Sequence, residues 1–260
     1  MATFPIYQLY VELQDYEPKM WRRFQVMNDI TIAKLAYILM TLFELRNNYA
    51  YEFRTDELTS YLRRHPEYEK HPERLESMNK TFKKYRYGIV SKKNMYLYKK
   101  VEGYEPIEDA TKVQLKTLLI AEKDNAIFYY DPEADWKINI VLEKITIDKN
   151  LYAKELPRVL GGEGFGIIES YGNAKNLKKF RDTLKANRWR NSINYKYYTT
   201  EQSKSFYFDR FDTEDMNFRI KTLPRSFQDT YEQNMYVSNR MMRIMKRKYK
   251  VYKKQWYLSI

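Results

Sequence analysis

Two runs of residues with alternating polarity, joined by a short turn, constrain the fold of this chain more than any other feature. Residues 126–130 are Ala-Ile-Phe-Tyr-Tyr, and between Trp136 and Ile147 apolar side chains alternate with polar ones. An alternation with a period of two indicates a strand with one buried face. The intervening Asp131-Pro132-Glu133-Ala134-Asp135 has the residues typical of a turn. The sequence therefore predicts a β-hairpin near the middle of the chain.

The remaining segments predict further strands and several helices. Residues 5–13 and 21–26 alternate in the same way and predict two strands. An apolar helix is predicted to begin at a cap on Asp29 or Thr31 and to end at Leu45. The other predicted segments are a polar middle at 54–105 with short helices starting at Pro66 and Pro72, a strand at 96–98, a glycine-rich loop at 157–172, and helices at 176–186 and 212–223.

Composition excludes several classes of protein. The 260 residues include no Cys, which excludes disulfides, thiolate metal sites and a cysteine nucleophile. Hydrophobic residues make up 43% of the chain, enough for a sizeable core. The N-terminus lacks the pattern of a signal peptide, and the longest apolar stretch, 30–45, contains Lys34 and Glu44. We therefore expect a cytoplasmic protein without integral membrane association.

An ordered set of motifs resembles one known family. These motifs are Ile6-Tyr7-Gln8-Leu9 with Trp21-Arg22-Arg23-Phe24-Gln25-Val26, Tyr51-Glu52-Phe53, the segment from Tyr129 to Trp136, Pro157-Arg158 with Gly161-Gly162-Glu163-Gly164, and Phe211-Asp212-Thr213-Glu214-Asp215-Met216-Asn217. In this order they resemble the plasmid pRiA4b ORF-three-like family, which occurs on plasmids and as passenger genes in insertion elements. The chain departs from the family pattern at Pro132-Glu133, which replaces Phe-Gly, and in lacking the loop cysteines.

The resemblance implies an α+β fold: a single compact domain with a mainly antiparallel sheet packed by helices. That domain would span residues 1–223, with a polar insertion at about 54–105. Residues 224–260 lie beyond the resemblance and form a basic C-terminal helical extension in this interpretation. The resemblance also implies that Trp21, Phe24, Tyr130 and Trp136 share one core.

The candidate catalytic residues favour structural roles. Asp131, Glu133 and Asp135, with Glu163 and Glu169, form the one acidic group that would suit Mg²⁺, but a hairpin turn requires the same residue types. His65 and His71 each precede a proline, six positions apart, and are interpreted as residues of helix-entry loops. The glycines at 161–166 lack the Lys-Ser/Thr ending of a phosphate-binding loop. We predict no catalytic residue, no metal and no cofactor, and thus a protein that is not an enzyme.

The net positive charge of the chain is confined to its C-terminal third. Residues 1–174 contain 26 Lys and Arg and 26 Asp and Glu, whereas residues 175–260 contain 21 and 8, which accounts for the whole formal charge of +13. On a helical wheel the tail separates an apolar stripe, Met241 to Trp256, from a basic face. The residues predicted to bind nucleic acid are Lys178, Lys179, Arg181, Lys185, Arg188, Arg190, Arg243, Lys246, Arg247, Lys250, Lys253 and Lys254.

These observations leave three hypotheses open. The first is a non-catalytic accessory protein of a mobile genetic element or phage that binds nucleic acid, mainly through phosphates, with its cationic C-terminal third. The alternative is a protein-binding inhibitor or adaptor, with an anti-defence factor acting on a host nucleic-acid-processing complex as one form. Because the chain is basic, such an inhibitor would bind an acidic surface or the nucleic acid within the complex. The third, attachment of the tail to a membrane surface, is permitted by its amphipathic pattern.

Overall fold

The computed structural model describes residues 5–46, 49–89, 101–131, 133–148, 150–186, 211–223, 225–228 and 231–232. The described strands are β1 (Ile6–Leu13), β2 (Trp21–Met27), β3 (Tyr51–Asp56), β4 (Lys84–Gly88), β5 (Glu108–Asp109), β6 (Asn125–Tyr130), β7 (Trp136–Thr146) and β8 (Arg158–Glu163). The helices are α1 (Ile32–Leu42), α2 (Glu57–Arg64), α3 (Pro72–Thr81), α4 (Leu115–Leu118), α5 (Ala174–Ala186), α6 (Thr213–Lys221) and α7 (Arg225–Gln228). Short 3₁₀ turns lie at Pro66–Lys70, Ala153–Glu155 and Glu169–Tyr171.

The strands form one eight-stranded sheet in the order β5-β4-β3-β6-β7-β1-β2-β8. Every pairing is antiparallel except the short one between β4 and β5. The predicted hairpin is β6–β7, in which Tyr130 pairs with Trp136 and Phe128 with Ile138. The α+β arrangement with a mainly antiparallel sheet is therefore confirmed.

Helix α1 lies inside the molecule. Every residue of α1 except Lys34 is buried, and the helix belongs to the same continuous core as the inward side chains of the sheet. Thr31 caps it, accepting a hydrogen bond from the Lys34 N–H at 3.1 Å, as one of the two predicted caps. Tyr37 stacks on Phe227 and Tyr231, with ring centroids 5.6 and 6.1 Å away. A helix that is apolar on all sides needs a second covering layer, and the segment 225–232 contributes to it here.

The predicted common core is correct for three of its four aromatic residues. Phe24, Tyr130 and Trp136 are fully buried in it, but the prediction for Trp21 is wrong. Trp21 lies on the other face of the sheet, where it stacks on Tyr10 at 5.7 Å and donates to Glu163 at 3.2 Å. Because Phe24 and Val26 point inward, the alternation of β2 turns Arg22 inward and Trp21 outward.

The prediction of a glycine-rich loop over the whole of 157–172 is also wrong. Arg158–Glu163 forms the edge strand β8, which pairs antiparallel with β2. Gly162 faces Arg22, and a Cβ built there would lie 2.7 Å from the Phe211 ring. Glycine at this position therefore reflects close packing within a strand rather than a phosphate-binding loop.

The polar middle contributes to the sheet as well as to helices. Pro66 and Pro72 each begin a short helical segment, as predicted. Within the same stretch, β4 pairs with β3, and the buried Arg86 forms an ion pair with Glu52. The strand predicted at 96–98 lies outside the described residues.

Candidate functional site

A cleft of about 630 Å³ opens where the C-terminal end of α1 meets the segment after β8 and the C-terminal helices. Its walls come from four regions of the chain that are distant in sequence. The lining residues are Met40, Thr41, Glu44, Leu45, Arg46, Tyr49, Phe165, Ile167, Ile168, Glu169, Ser170, Arg219, Thr222 and Phe227. The cleft thus combines apolar and aromatic side chains with several charged ones, as ligand sites do.

Glu169 and Glu44 are the two carboxylates that line the cleft. Glu169 begins the 3₁₀ turn Glu169–Tyr171, and its Oε1 accepts hydrogen bonds from the Tyr130 hydroxyl at 2.9 Å and the Arg46 backbone N–H at 2.5 Å. Burial raises the pKa of the Glu169 carboxyl above its usual range, although both hydrogen bonds oppose this effect. The charge of Asp131 also raises this pKa, so the end of the hairpin strand β6 and the cleft are electrostatically linked.

An ion pair joins the end of α1 to α6. Arg219 donates to both oxygens of Glu44, at 2.5 and 2.8 Å, and this bonding raises the pKa of Arg219. Glu44 has a φ of 58°, the left-handed conformation with which α1 ends. The guanidinium of Arg219 is therefore occupied by a bidentate ion pair within the protein.

A buried guanidinium fixes the loop behind the cleft. The fully buried Arg22 donates to five backbone carbonyls at 2.6–3.0 Å, those of Trp21, Leu42, Glu163, Gly164 and Phe165. It lies between the rings of Phe43 and Phe211, at 5.0 and 4.1 Å. Burial lowers the pKa of Arg22 to about 9. These contacts hold residues 163–165 against the end of α1, and thereby position Phe165 in the wall.

Arg46 supplies a positive charge at the cleft. The residue is exposed and lines the cleft beside Glu169, to which its backbone N–H donates. Burial raises the pKa of Glu169 and the charge of Arg46 acts to lower it, so the Arg46 side chain acts electrostatically on this carboxylate. Arg219, by contrast, is held by Glu44 in a bidentate ion pair.

The acidic turn has the geometry of a hairpin connection. Asp131 has a φ of 54°, and its Oδ1 accepts from the N–H groups of Glu133 and Ala134 at 3.1 and 3.4 Å. Asp135 pairs with Lys137 at 2.9 Å. In the part of the chain that the structure describes, no three Asp, Glu or His side chains lie together as a metal site would require. These contacts support the interpretation of Asp131 and Asp135 as turn residues.

The two histidines lie at helix entries, as interpreted from the sequence. His65 precedes the 3₁₀ turn that begins at Pro66, and His71 precedes α3. Each lies near a glutamate two positions later, at 3.5 Å for Glu67 and 3.3 Å for Glu73. Neither residue lines the cleft.

Helix α5 carries the part of the predicted cationic surface that the structure describes. Lys179 is exposed, and Lys178 pairs with Asp182 at 2.5 Å. Arg181, which is predicted from the sequence to bind nucleic acid, is only 5% exposed and therefore does not lie on the outer face of α5. The reason is helical spacing: Arg181 follows the buried Leu177 by four positions and shares its inward face.

The other predicted nucleic-acid contacts cannot be placed by the described residues. Lys185 belongs to α5, but its side chain is outside the described part of the chain. The positions outside the described residues altogether are Arg188, Arg190, Arg243, Lys246, Arg247, Lys250, Lys253 and Lys254. The predicted amphipathic pattern of the tail also remains a prediction.

Helix α5 begins beside the cleft. The Asn176 side chain donates to the carbonyl of Tyr171 at 3.2 Å, and the ring of Phe180 stacks on that of Tyr171 at 4.1 Å. Tyr171 ends the same 3₁₀ turn that presents Glu169 to the cleft. The exposed Lys175 and Lys179 therefore extend from one wall of the cleft along α5.

Sequence reasoning did not find the cleft. Glu44, Arg46 and Arg219 were not candidates, because no local motif connects residues so far apart in the chain. The sequence identifies Glu169 only as a member of an acidic group. The one available signal was the interruption of the apolar segment 30–45 by Glu44, a charged residue at the end of a buried helix.

The fold and the cleft describe a single-sheet α+β protein with a ligand-sized site next to a basic helix. The chain belongs to the plasmid pRiA4b ORF-3-like protein family, whose model matches residues 5–219. The chain is also similar in structure to MM3350, a protein of unknown function from Methanosarcina mazei Go1, with a TM-score of 0.57 and 19% sequence identity. That similarity covers 82% of this chain and 97% of the other, and it concerns the fold. No curated protein matches the sequence.

None of the helices in the described ranges has the length and apolar character needed to cross a lipid bilayer.

Proposed function

We propose that this protein is a non-catalytic accessory factor of a mobile genetic element or phage, and that it binds nucleic acid through its cationic C-terminal third. Membership of a plasmid-associated family supports the first part of the proposal. The confinement of the whole net charge of +13 to residues 175–260 supports the second. Binding through phosphates implies little preference for a particular sequence in this part of the interface.

The orientation of α5 is the observation that carries the proposal. Leu177 and Arg181 face the body of the protein, which leaves Lys175 and Lys179 exposed on the outside. Lys178 is compensated by Asp182, whereas no carboxylate in the described ranges pairs with Lys175 or Lys179. Two uncompensated cations four positions apart on one helix repel each other, and an anionic partner relieves that repulsion.

The test compares two double variants with the same change in charge. Lys175→Gln/Lys179→Gln removes two cations from α5, and Lys80→Gln/Lys112→Gln removes two exposed cations from the electrically balanced part of the chain. Binding to labelled DNA is measured by fluorescence anisotropy at several salt concentrations. For each phosphate that is no longer neutralised, the slope of log K against log[salt] should decrease in magnitude by about 0.9 for duplex DNA and about 0.7 for single strands. Only the α5 variant should show this reduction.

The same titration extends to the tail. Arg243→Gln/Arg247→Gln/Lys250→Gln/Lys254→Gln should weaken binding to every sequence and reduce the salt slope further. If the parent protein does not bind nucleic acid at physiological salt, the proposal is wrong. Recovery of one nuclease-resistant protein from a native lysate would then favour the inhibitor or adaptor hypothesis.

A further inference from the structure

The hydrogen bonds that Glu169 accepts in the cleft use only one of its two carboxylate oxygens. Oε1 of Glu169 accepts from both the Tyr130 hydroxyl and the Arg46 N–H. No donor among the described residues reaches the other oxygen, Oε2. The cleft has a volume of about 630 Å³, and Oε2 can accept a hydrogen bond from a ligand bound there. The ligand group that it fits is an N–H donor.

Aromatic and aliphatic residues line the cleft together with the polar ones. The aromatic residues are Tyr49, Phe165 and Phe227, and the aliphatic ones include Ile168. Two of these rings are held by other aromatics: Phe227 stacks on Tyr37, and Tyr49 meets Tyr130 edge to face at 5.8 Å. Fixed aromatic surfaces favour a planar ligand that can stack on them.

The charges at the cleft define the rest of the ligand. Glu44 holds Arg219 in a bidentate ion pair, whereas Arg46 is exposed. The backbone N–H of Arg46 binds Glu169, and the charge of its side chain acts on the same carboxylate. An anionic group attached to the planar part of the ligand would therefore lie near Arg46. A planar ring with an N–H donor and an attached phosphate is a nucleotide.

We propose that the cleft binds one unpaired nucleotide whose base carries an exocyclic amino group. Oε2 of Glu169 accepts a hydrogen bond from that amino group, and Arg46 binds the neighbouring phosphate. Cytosine, adenine and guanine carry an exocyclic amino group. The ring N–H of thymine and uracil, at N3, is instead flanked by two carbonyl oxygens, and these repel a carboxylate. This inference rests on the proposed nucleic-acid binding and adds discrimination between bases to it.

The position of α5 supports this assignment. The 3₁₀ turn that carries Glu169 is tied to the start of α5 through Tyr171 and Asn176. A single strand with one base in the cleft would continue directly toward the exposed Lys175 and Lys179. Base selection in the cleft and phosphate binding on α5 would then act on the same strand.

The test uses labelled single-stranded oligonucleotides, oligo(dC) and oligo(dT), at one salt concentration. The parent protein should bind oligo(dC) about tenfold more tightly. Glu169→Gln keeps the size of the side chain and an oxygen for Tyr130 and Arg46, but replaces the spare oxygen by an amide NH₂ donor. The variant should therefore reverse the preference in favour of oligo(dT), because thymine has a carbonyl acceptor at C4, where cytosine has its amino group. Glu163→Gln, a change outside the cleft, should keep the preference of the parent.

The outcomes separate this inference from the function on which it rests. Equal binding of the two oligonucleotides by the parent overturns the base pocket but leaves phosphate binding by the C-terminal third intact. A preference for oligo(dC) that survives in Glu169→Gln also overturns it, because another group must then select the base. If neither oligonucleotide binds, both the proposed function and this inference are wrong. Far-ultraviolet circular dichroism checks that both variants are folded.

Discussion

The buried guanidinium of Arg22 connects three segments of the chain. It donates to five carbonyls in these segments, so a shorter cation cannot replace it. Arg22→Lys leaves several buried carbonyls without donors, at about 1–3 kcal/mol for each such group. We expect the free energy of unfolding, measured by urea titration, to fall by about 3 kcal/mol or more.

The neighbouring arginine provides the control for this prediction. Arg23 binds Glu143 through two hydrogen bonds of 2.7 Å, but its side chain is 38% exposed. Because partly exposed ion pairs contribute little, Arg23→Lys should cost less than about 1 kcal/mol. Equal destabilisation by Arg22→Lys and Arg23→Lys would show that the hydrogen bonds from the Arg22 guanidinium to the five carbonyls do not stabilise the fold.

Glu169 is expected to make the stability of the protein depend on pH. Burial raises its pKa in the folded chain above the usual 4.5, so the folded state binds the proton more tightly than the unfolded state. The free energy of unfolding therefore falls as the pH rises from about 4.5 to the folded pKa, and is constant above it. Glu169→Gln does not ionise, and its stability relative to the parent should increase through this window.

Urea titrations at a series of pH values measure this difference. Its total size should be about 1.4 kcal/mol for each tenfold difference in proton affinity between the folded and unfolded states. A difference that stays constant from acid to neutral pH would mean that the burial of Glu169 does not affect its ionisation.

At the scale of single elements, β8 depends on two glycines with different surroundings. A Cβ on Gly162 would lie 2.7 Å from the Phe211 ring and 2.8 Å from Arg22, whereas a Cβ on Gly161 would have its nearest neighbour at 3.7 Å. Gly162→Ala should therefore cost about 1–3 kcal/mol through overpacking, and Gly161→Ala should be close to neutral. Thermal unfolding of the two variants measures the contrast, and similar midpoints would contradict the packing at Gly162.

The elements that the sequence predicted are those with a strong local pattern. The β6–β7 hairpin, the strands β1 and β2, and helix α1 with its cap at Thr31 all have the expected periodicity. β8 was missed because Gly161 and Gly162 have no strand propensity, and its pairing partner β2 lies about 140 positions earlier. The sequence does not predict the cleft either, because its residues come together only when α1, the segment after β8 and the helices α6 and α7 have packed.

Arg22 and Trp21 illustrate a different limit. Composition favours the tryptophan as the core residue of the pair, yet the register of β2 places the arginine inside. The period-two alternation that turns Phe24 and Val26 inward also turns Arg22 inward, so the sequence pattern is sufficient to predict its burial. The buried charge of Arg22 is tolerated because backbone carbonyls accept hydrogen bonds from its guanidinium. No sequence motif predicts these contacts.

At the scale of the whole molecule, the charges of the balanced part of the chain are largely compensated by each other. In the sheet, Arg23 pairs with Glu143 and Arg86 pairs with Glu52, and all four residues lie in that part of the chain. Balanced internal pairs create little long-range field. The excess charge of residues 175–260 therefore determines the field that an approaching partner meets.

The strand order also affects how this protein is made. β1 lies between β2, which follows it at once, and β7, in which the partner of Leu13, Ile138, comes 125 positions later. At ribosomal rates of about 5–20 residues per second, the free edge of β1 waits on the order of ten seconds for that partner. An apolar strand with an open edge can pair with other chains during this interval. Slow translation before codon 146 should therefore increase the demand for chaperones, even though the finished sheet protects β1 on both sides.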